Sequence, residues 1–441
     1  MSAQPAPRRP SDADPSDAGR SGAGPTEADP LEPDTKDWTW VLDRACPDCG
    51  FDPREHGPAA AGPDLATALR ADAAGWTALL RATTDPAPAT RHPGASIPQG
   101  VVDPRVRTDP SRWSVLEYAA HVRDVHRVFR ERLVAMVEET GPRFADWDQD
   151  AAAREGDYAR LDPRTVGEEL VAAADAVAAV YDTVAASPDP TVWERTGVRS
   201  NGSRFTVATL GVYHLHDVVH HTWDVRDVAA AVTVAAYDAQ APDYRAATDR
   251  LDEAFAPLLD EVAARAPGGQ VLEIGSGGGR DALALEARGL RVRRTDVTPA
   301  FVAMLRAAGH AAELLDPLLD DLRPHPGEPG GADAAGPRAA AYDVVWANAC
   351  LLHVARTDLP RVAARLAEVT RPGGLLVATL KEGEGEQWSV HGTIEAARRF
   401  VLWREPALVA LLTGAGWQVE RVGRRTGARD TPWLEVLARR R

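Results

Sequence analysis

The feature that most constrains this chain is a short β-rich run, Val271-Leu272-Glu273-Ile274, that passes into Gly275-Ser276-Gly277-Gly278-Gly279 and then a helical stretch from Asp281. Glycines at alternate positions let a backbone turn sharply out of a strand and let a ligand approach the main chain without side-chain obstruction. Seventeen residues beyond Gly279, at the end of the next β-rich run, stands Asp296. A carboxylate there can accept hydrogen bonds from both hydroxyls of a ribose. The bland alternative is a glycine turn chosen for packing, with Asp296 a surface acid. Independent features agreeing at the required spacings weigh against it.

The surrounding texture supports a parallel sheet. Runs at Gln270–Ile274, Arg291–Asp296, Tyr342–Ala347, Leu375–Leu380, Trp417–Val422 and Trp433–Ala438 alternate with helical stretches, as crossover connections require. A helix is expected from Tyr244 to Arg265, ahead of the first run. Residues 323–341, rich in Pro, Gly and Ala, are expected to be a flexible surface insertion.

A GxGxG turn is shared with NAD enzymes, so the neighbouring residues decide its ligand. An acid two positions before the first glycine (Glu273) and Pro372-Gly373-Gly374 before a strand resemble the class I S-adenosylmethionine-dependent methyltransferases. Residues 271–441 resemble the small-molecule branch of that family through VLEIGSGGGRD, the acid of RTDVTP, YDVVWANACLLHV, RPGGLLVATLKEGEGE and PWLEVLARR. The resemblance implies a Rossmann-like, mostly parallel seven-stranded sheet whose last strand is antiparallel. It implies S-adenosylmethionine as cofactor, with Glu273, Gly275, Ser276, Gly277 and Gly279 in the glycine-loop segment. Asp296 would take the ribose hydroxyls, and Val297 would cover the adenine. Asp316 would lie near the adenine amino group, and Asn348 and Ala349 would meet the methionine part.

Candidates for a catalytic role are Lys381 and His353, both just past strands at the ligand edge. Lys381 can hold an acidic group of a substrate, or simply pair with Glu382, Glu384 or Glu386. His353 can serve as a base or only as a packed side chain. Cys350, in an apolar stretch, reads as a buried small residue. The Asp/Asn-Pro-Pro-Tyr/Phe motif of exocyclic amino methyltransferases is absent, Asn348-Ala349-Cys350-Leu351 standing in its place, and there is no Pro-Cys pair. A net charge of −15 offers no footprint for a phosphate backbone. A small-molecule acceptor is therefore expected and a nucleic acid is not.

The first half of the chain is different. Residues 1–36 are Pro, Ala, Gly, Asp and Ser with few large apolar side chains, and are expected to be disordered. Helices are expected over Asp64–Arg81, from Ser111 or Ser114 to Val137, over Val166–Ala185 and over Thr206–Val228. Apolar residues recur at threes and fours in each, as in Val115, Tyr118, Ala119, Val122, Val125 and Phe129. The whole is expected to be multidomain: an all-α four-helix bundle over 37–235, then an α/β Rossmann-like sheet over 243–441.

Four of the twelve histidines crowd into Tyr213-His214-Leu215-His216-Asp217-Val218-Val219-His220-His221. At ~100° per residue, His216 and His220 share one helix face, able to hold a divalent ion by two imidazoles. Trp113-Ser114-Val115-Leu116-Glu117-Tyr118-Ala119-Ala120-His121, followed later by His-x-x-x-His, resembles the DinB-like superfamily, which includes mycothiol-dependent enzymes. That resemblance covers about 62–230 and implies His121, His216 and His220 as ligands of Zn²⁺, Ni²⁺ or a similar ion. It implies thiol-group transfer or metal-assisted hydrolysis as rival chemistry, with the sheet only binding S-adenosylmethionine; a non-catalytic binding module is the remaining rival. His126, His214 and His221 lie on other faces and read as structural. Cys46-Pro47-Asp48-Cys49 is half of a zinc ribbon; even with His56 nearby, four ligands cannot be counted locally, so no structural zinc is expected there. Three cysteines make no disulfide framework. With no run of eighteen apolar residues and no signal-like start, a cytoplasmic protein without a membrane partner is expected. The oligomeric state stays open.

Overall fold

The computed structural model describes residues 38–58, 64–84, 103–108, 111–145, 147–251, 253–324, 342–390, 392–427 and 430–441. The disordered tail expected at 1–36 and nearly all of the insertion expected at 323–341 lie outside these residues.

Four long helices, α1 (Leu65–Thr84), α2 (Val115–Glu138), α4 (Pro163–Ala185) and α5 (Val207–Asp224), pack around one core, with the short α3 (Gln149–Glu155) beside them. Leu69, Trp76, Leu80, Leu116, Leu133, Leu170 and Tyr181 are buried in it. Their threefold and fourfold spacing is what turned each helix inward. Ser114, not Ser111, starts α2: its hydroxyl accepts from Glu117 N while the Glu117 carboxylate accepts from Ser114 N at 2.8 Å. The helix α4 begins three residues earlier than expected, at Pro163, because Asp162 caps it through Thr165 N and Pro is favourable in a first turn. A small sheet of β1 (Arg143–Phe144), β2 (Thr196–Arg199) and β3 (Arg204–Thr206) closes one end.

The helix expected over Thr206–Val228 breaks at Val225 and resumes as α6 (Arg226–Ala239). The Arg226 guanidinium lies over the Trp223 ring and donates to Trp223 O at 3.0 Å, satisfying a carbonyl at the end of α5. The single helix expected over Tyr244–Arg265 is instead α7 (Ala241–Thr248), a 3₁₀ turn at Glu253–Phe255 and α8 (Ala256–Arg265). Pro257 supplies no N–H for a continuous helix and sits in the first turn of α8.

The C-terminal strands are β4 (Gln270–Ile274), β5 (Arg291–Asp296), β6 (Ala312–Leu314), β7 (Tyr342–Asn348), β8 (Thr370–Lys381), β9 (Glu386–Ser389), β10 (Arg398–Val401), β11 (Trp417–Thr426) and β12 (Pro432–Arg440). Seven of them form one sheet in the order β11-β12-β8-β7-β4-β5-β6, with β12 antiparallel to both neighbours and the rest parallel. Helices α9 (Arg280–Glu286), α10 (Pro299–Ala307), α11 (Leu359–Val369) and α12 (Glu405–Gly414) connect them. Apolar side chains cover both faces, as a mostly parallel sheet demands.

The β9–β10 hairpin was not expected. It leaves the sheet after β8 and turns to the helices: Trp388 packs against the α1 side at Gly75, and β10 lies along α6. The helix α6 therefore runs past the boundary expected at 235 and forms the seam between the two regions. Among the described residues no helix is long and apolar enough to cross a membrane.

Candidate functional site

The glycine loop leaves β4 in left-handed backbone, with φ of +72° at Gly275, +51° at Gly277 and +87° at Gly279. A Cβ on Gly275 would lie 2.5 Å from Cys350 Cβ, so this turn admits only glycine. A Cβ on Gly277 would instead meet the Tyr244 ring at 3.8 Å, an ordinary van der Waals contact across the mouth of the loop. Asp296, at the end of β5, ties the loop down: one carboxylate oxygen accepts from Gly277 N and the other from Thr298 N, each at 2.8 Å. Burial pushes its carboxyl pKa up, against the pull of those backbone N–H groups. Glu273 is buried beneath the loop and accepts from the Ser276 hydroxyl; burial pushes it up to about 8, with Ser276 opposing.

Past β7 the backbone is left-handed again, at Ala349 (φ +56°), uncommon for a residue with a Cβ. A buried network holds it there. Asp281 on α9 accepts from Trp346 Nε1 at 3.0 Å and from Asn348 Nδ2 at 2.7 Å; Thr379 donates to Asn348 Oδ1 at 2.6 Å and accepts from Ala349 N at 2.8 Å. Neither Asp281 nor Thr379 is marked by the sequence reading, although Asp281 opens the helix after the glycine loop and Thr379 stands near the end of β8 at the ligand edge.

These elements surround a cavity of about 520 Å³. Of the residues expected at the cofactor, Gly275, Gly277, Asp296, Val297, Asp316, Asn348 and Ala349 line it. Glu273, Ser276 and Gly279 shape the loop from behind. The far wall is new: Tyr237 of α6 and Tyr244 of α7, 5.4 Å apart, with Phe301 of α10 5.5 Å from Tyr244. The two tyrosines stand on separate helices that meet at Gln240, so no single helical periodicity marks them in the sequence.

Of the catalytic candidates, His353 lines the cavity and Lys381 does not. The Nδ1 of His353 donates to Arg399 O at 2.6 Å, since a carbonyl only accepts, and Nε2 therefore accepts from the Tyr237 hydroxyl at 3.0 Å. Burial lowers this imidazole to about 3, so it stays neutral. Lys381 Nζ instead sits 3.4 Å from the Phe400 ring centre, half-buried, where burial and then Arg398 lower its pKa to about 8.

The histidine cluster is regrouped relative to expectation. His121, His216 and His220 do not converge on one point; they divide between two clusters. The face of α5 turned toward α2 carries Asp217 and His221, one residue on from the expected pair and equally spaced by four. His221 bridges Asp217 (3.2 Å) and Asp224 (3.0 Å), and its ring stands 4.7 Å from that of His121. Although burial opposes it, the bonds to Asp217 and Asp224 raise His221 to about 10. Neither ring nitrogen of the buried His121 has a hydrogen-bond partner among the described residues. His216 and His220 face the other way, toward Cys46 and Cys49. His126 Nδ1 meets His214 Nε2 at 3.0 Å, and Phe129 stacks on His214; these two are packed core histidines.

Residues 272–378 match a family model described as a methyltransferase domain. No curated protein matches the chain. Solved structures similar to it include 1,6-didemethyltoxoflavin-N1-methyltransferase of Burkholderia thailandensis, 21% identical over 47% of this chain and 87% of that one, TM-score 0.34. The CcbJ methyltransferase of Streptomyces caelestis is 19% identical over 46% and 97%, TM-score 0.35. An S-adenosylmethionine-dependent methyltransferase of Mesorhizobium loti is 18% identical over 42% and 98%, TM-score 0.33. The family match falls on β4 through β8, so the C-terminal region of this chain carries a methyltransferase domain.

Proposed function

We propose that the protein moves a methyl group from S-adenosylmethionine to a small-molecule acceptor inside the cavity between the sheet edge and helices α6 and α7. The observation that carries this reading is the wall contributed by Thr233, Val234, Tyr237 and Tyr244, which turns an open sheet edge into a partly covered pocket. Its volume of about 520 Å³ and its mostly apolar, aromatic lining suit a small molecule.

The cofactor supplies a methyl already activated on a sulfonium, so the protein's task is alignment and exclusion of water. Asp296 and the glycine loop would hold the nucleoside, and Asn348 and Ala349 the amino-acid part. An imidazole at about 3 is a poor proton acceptor near neutrality, so His353 fixes the Tyr237 hydroxyl in place rather than acting as the base. Lys381 stands outside the cavity and takes no part.

Calorimetry with Asp296→Asn tests the binding half. Loss of a charged acceptor costs about 1.5–3 kcal/mol, or about 10- to 100-fold in affinity; unchanged affinity would sink the assignment of Asp296. Incubation with labelled S-adenosylmethionine and a metabolite extract tests the acceptor half, with label expected in the small-molecule fraction and label in RNA or protein overturning it.

A second reading is favoured by the orphaned ring of His121. With His221 and Asp217 it presents two imidazoles and a carboxylate whose ligand atoms lie within 4.8 Å of one another, a donor set that fits Zn²⁺ or Ni²⁺. Asp224 would orient His221 from behind. Such an ion would activate a thiol or water. Turnover lost in His121→Ala but kept in Asp296→Asn would pass the main reaction to the helices.

A further inference from the structure

We propose that Cys46, Cys49, His216 and His220 form a closed structural Zn²⁺ site that fastens the segment 38–58 to α5. The four side chains are buried, and one ligand atom from each lies within 4.8 Å of every other, with Cys46 Sγ 3.7 Å from His220 Nδ1. Zn–S bonds of about 2.3 Å and Zn–N bonds of about 2.0–2.1 Å in a tetrahedron put ligand atoms roughly 3.3–3.8 Å apart, so little adjustment is needed. Their order, Cys-x-x-Cys followed by His-x-x-x-His, is a spacing that structural zinc sites use. Counting ligands along the sequence near Cys46 found two because the others arrive from a helix some 170 residues away.

The local backbone is already bent to present both sulfurs. Cys46 N donates to Phe51 O at 2.8 Å, Gly50 N donates to Cys46 O at 3.0 Å, and Gly50 takes the left-handed φ of +72° that closes the turn. On the helix side the Nε2 of buried His216 has no hydrogen-bond partner among the described residues, a lone pair or proton that goes unsatisfied without a ligand. Aromatic rings seal the cluster: Trp38 lies 5.6 Å from His216 and 4.8 Å from His220, and Phe51 lies 5.4 Å from His216. Four protein ligands complete a tetrahedral shell, which makes the site structural rather than catalytic.

The segment has reason to need the ion. Between 38 and 58 its only helices are two 3₁₀ turns, at Trp38–Leu42 and Pro53–Glu55, so it has few backbone bonds of its own to hold it on α5. Binding displaces two thiol protons and leaves a centre of zero net charge, the form best suited to a buried position. The site also sits near the seam: a Cβ on Gly50 would come within 3.5 Å of Thr357 Cγ2, and the Thr357 hydroxyl accepts from Trp223 Nε1 at 3.1 Å.

The test uses the full-length protein purified under reducing conditions, without added chelator. Elemental analysis is expected to give zinc that survives desalting. Cys46 and Cys49 are expected to resist N-ethylmaleimide, by mass spectrometry of peptides, until a strong chelator is added. After exchange with Co²⁺ alone, the spectrum should show thiolate-to-metal charge-transfer bands. The bands and one equivalent of metal should disappear in Cys46→Ser/Cys49→Ser and persist in His121→Ala, which separates this site from the His121–Asp217–His221 cluster. Immediate alkylation of both cysteines in the unchelated wild type, their recovery as a disulfide, or Co²⁺ bound without thiolate bands would overturn the proposal. These readouts on the wild type stand even if the double variant does not fold, and none depends on methyl transfer.

Discussion

The two halves of this molecule build their sites from different parts of the chain. In the sheet region the working groups are mostly backbone: left-handed glycines at 275, 277 and 279, a left-handed Ala349, and main-chain N–H groups held by Asp296. All follow the ends of strands by a few residues. In the helical region the working groups are side-chain nitrogens, sulfurs and carboxylates, gathered across long stretches of sequence onto two adjacent faces of α5. The sheet site should therefore be broken by adding atoms, and the helical sites by removing them.

The strongest test adds one carbon. Gly275→Ala places a Cβ 2.5 Å from Cys350 Cβ in a backbone conformation with φ of +72°. The left-handed backbone costs about 1–2 kcal/mol and overpacking typically about 1–3 kcal/mol more. Affinity for S-adenosylmethionine is expected to fall more than about a hundredfold by calorimetry, the loop giving way before the sheet unfolds. Normal affinity in this variant would mean that the loop's chemistry does not reside in its backbone.

The same difference explains what could be read from the sequence. The strands β4 and β5 were placed at their observed limits because glycines and an acid punctuate them. The β9–β10 hairpin was missed: its strands are four residues long, and β10 opens with Arg398 and Arg399, whose burial against α6 no alternation rule anticipates. The break at Val225 lies in a stretch with neither glycine nor proline to mark it. On α5, His216/His220 and Asp217/His221 satisfy the same four-residue spacing, and a turn of about 100° decides which pair meets His121. That choice belongs to the packing of α5 on α2. Periodicity says that a face exists and leaves open which neighbour it meets.

A smaller effect sharpens the comparison through pH. Burial raises Glu273 to about 8 from a usual 4.5, with Ser276 opposing. A carboxyl whose folded pKa is raised keeps its proton in the native chain where the unfolded chain has lost it. Its contribution is complete below about 4.5 and is lost as pH rises through about 8. Glu273→Gln should therefore flatten the decline in melting temperature between those limits, by on the order of 10 °C on the scale of about 2–4 °C per kcal/mol for a domain of this size. An unchanged slope would show that this acid does not govern the loop's electrostatics.

The smallest expected effect tests whether the two regions are energetically separate. Ser114→Ala removes one half of the capping box on α2 and leaves the other, the Glu117 carboxylate on Ser114 N, with Arg107 still paired to it. Losing a serine cap costs about 1 kcal/mol, a fall of about 2–4 °C in melting temperature. The helix α2 bears His121 two turns further on, so its fraying bears first on that side chain's placement against His221. The cavity touches the helical region chiefly through α6 and α7, on the far side of the break at Val225. Affinity for S-adenosylmethionine should then stay within about twofold of wild type, the change that ~0.4 kcal/mol would produce. A matching fall in that affinity would show that strain in α2 passes through α5 and α6 to the sheet edge, and that the two regions share one energetic unit.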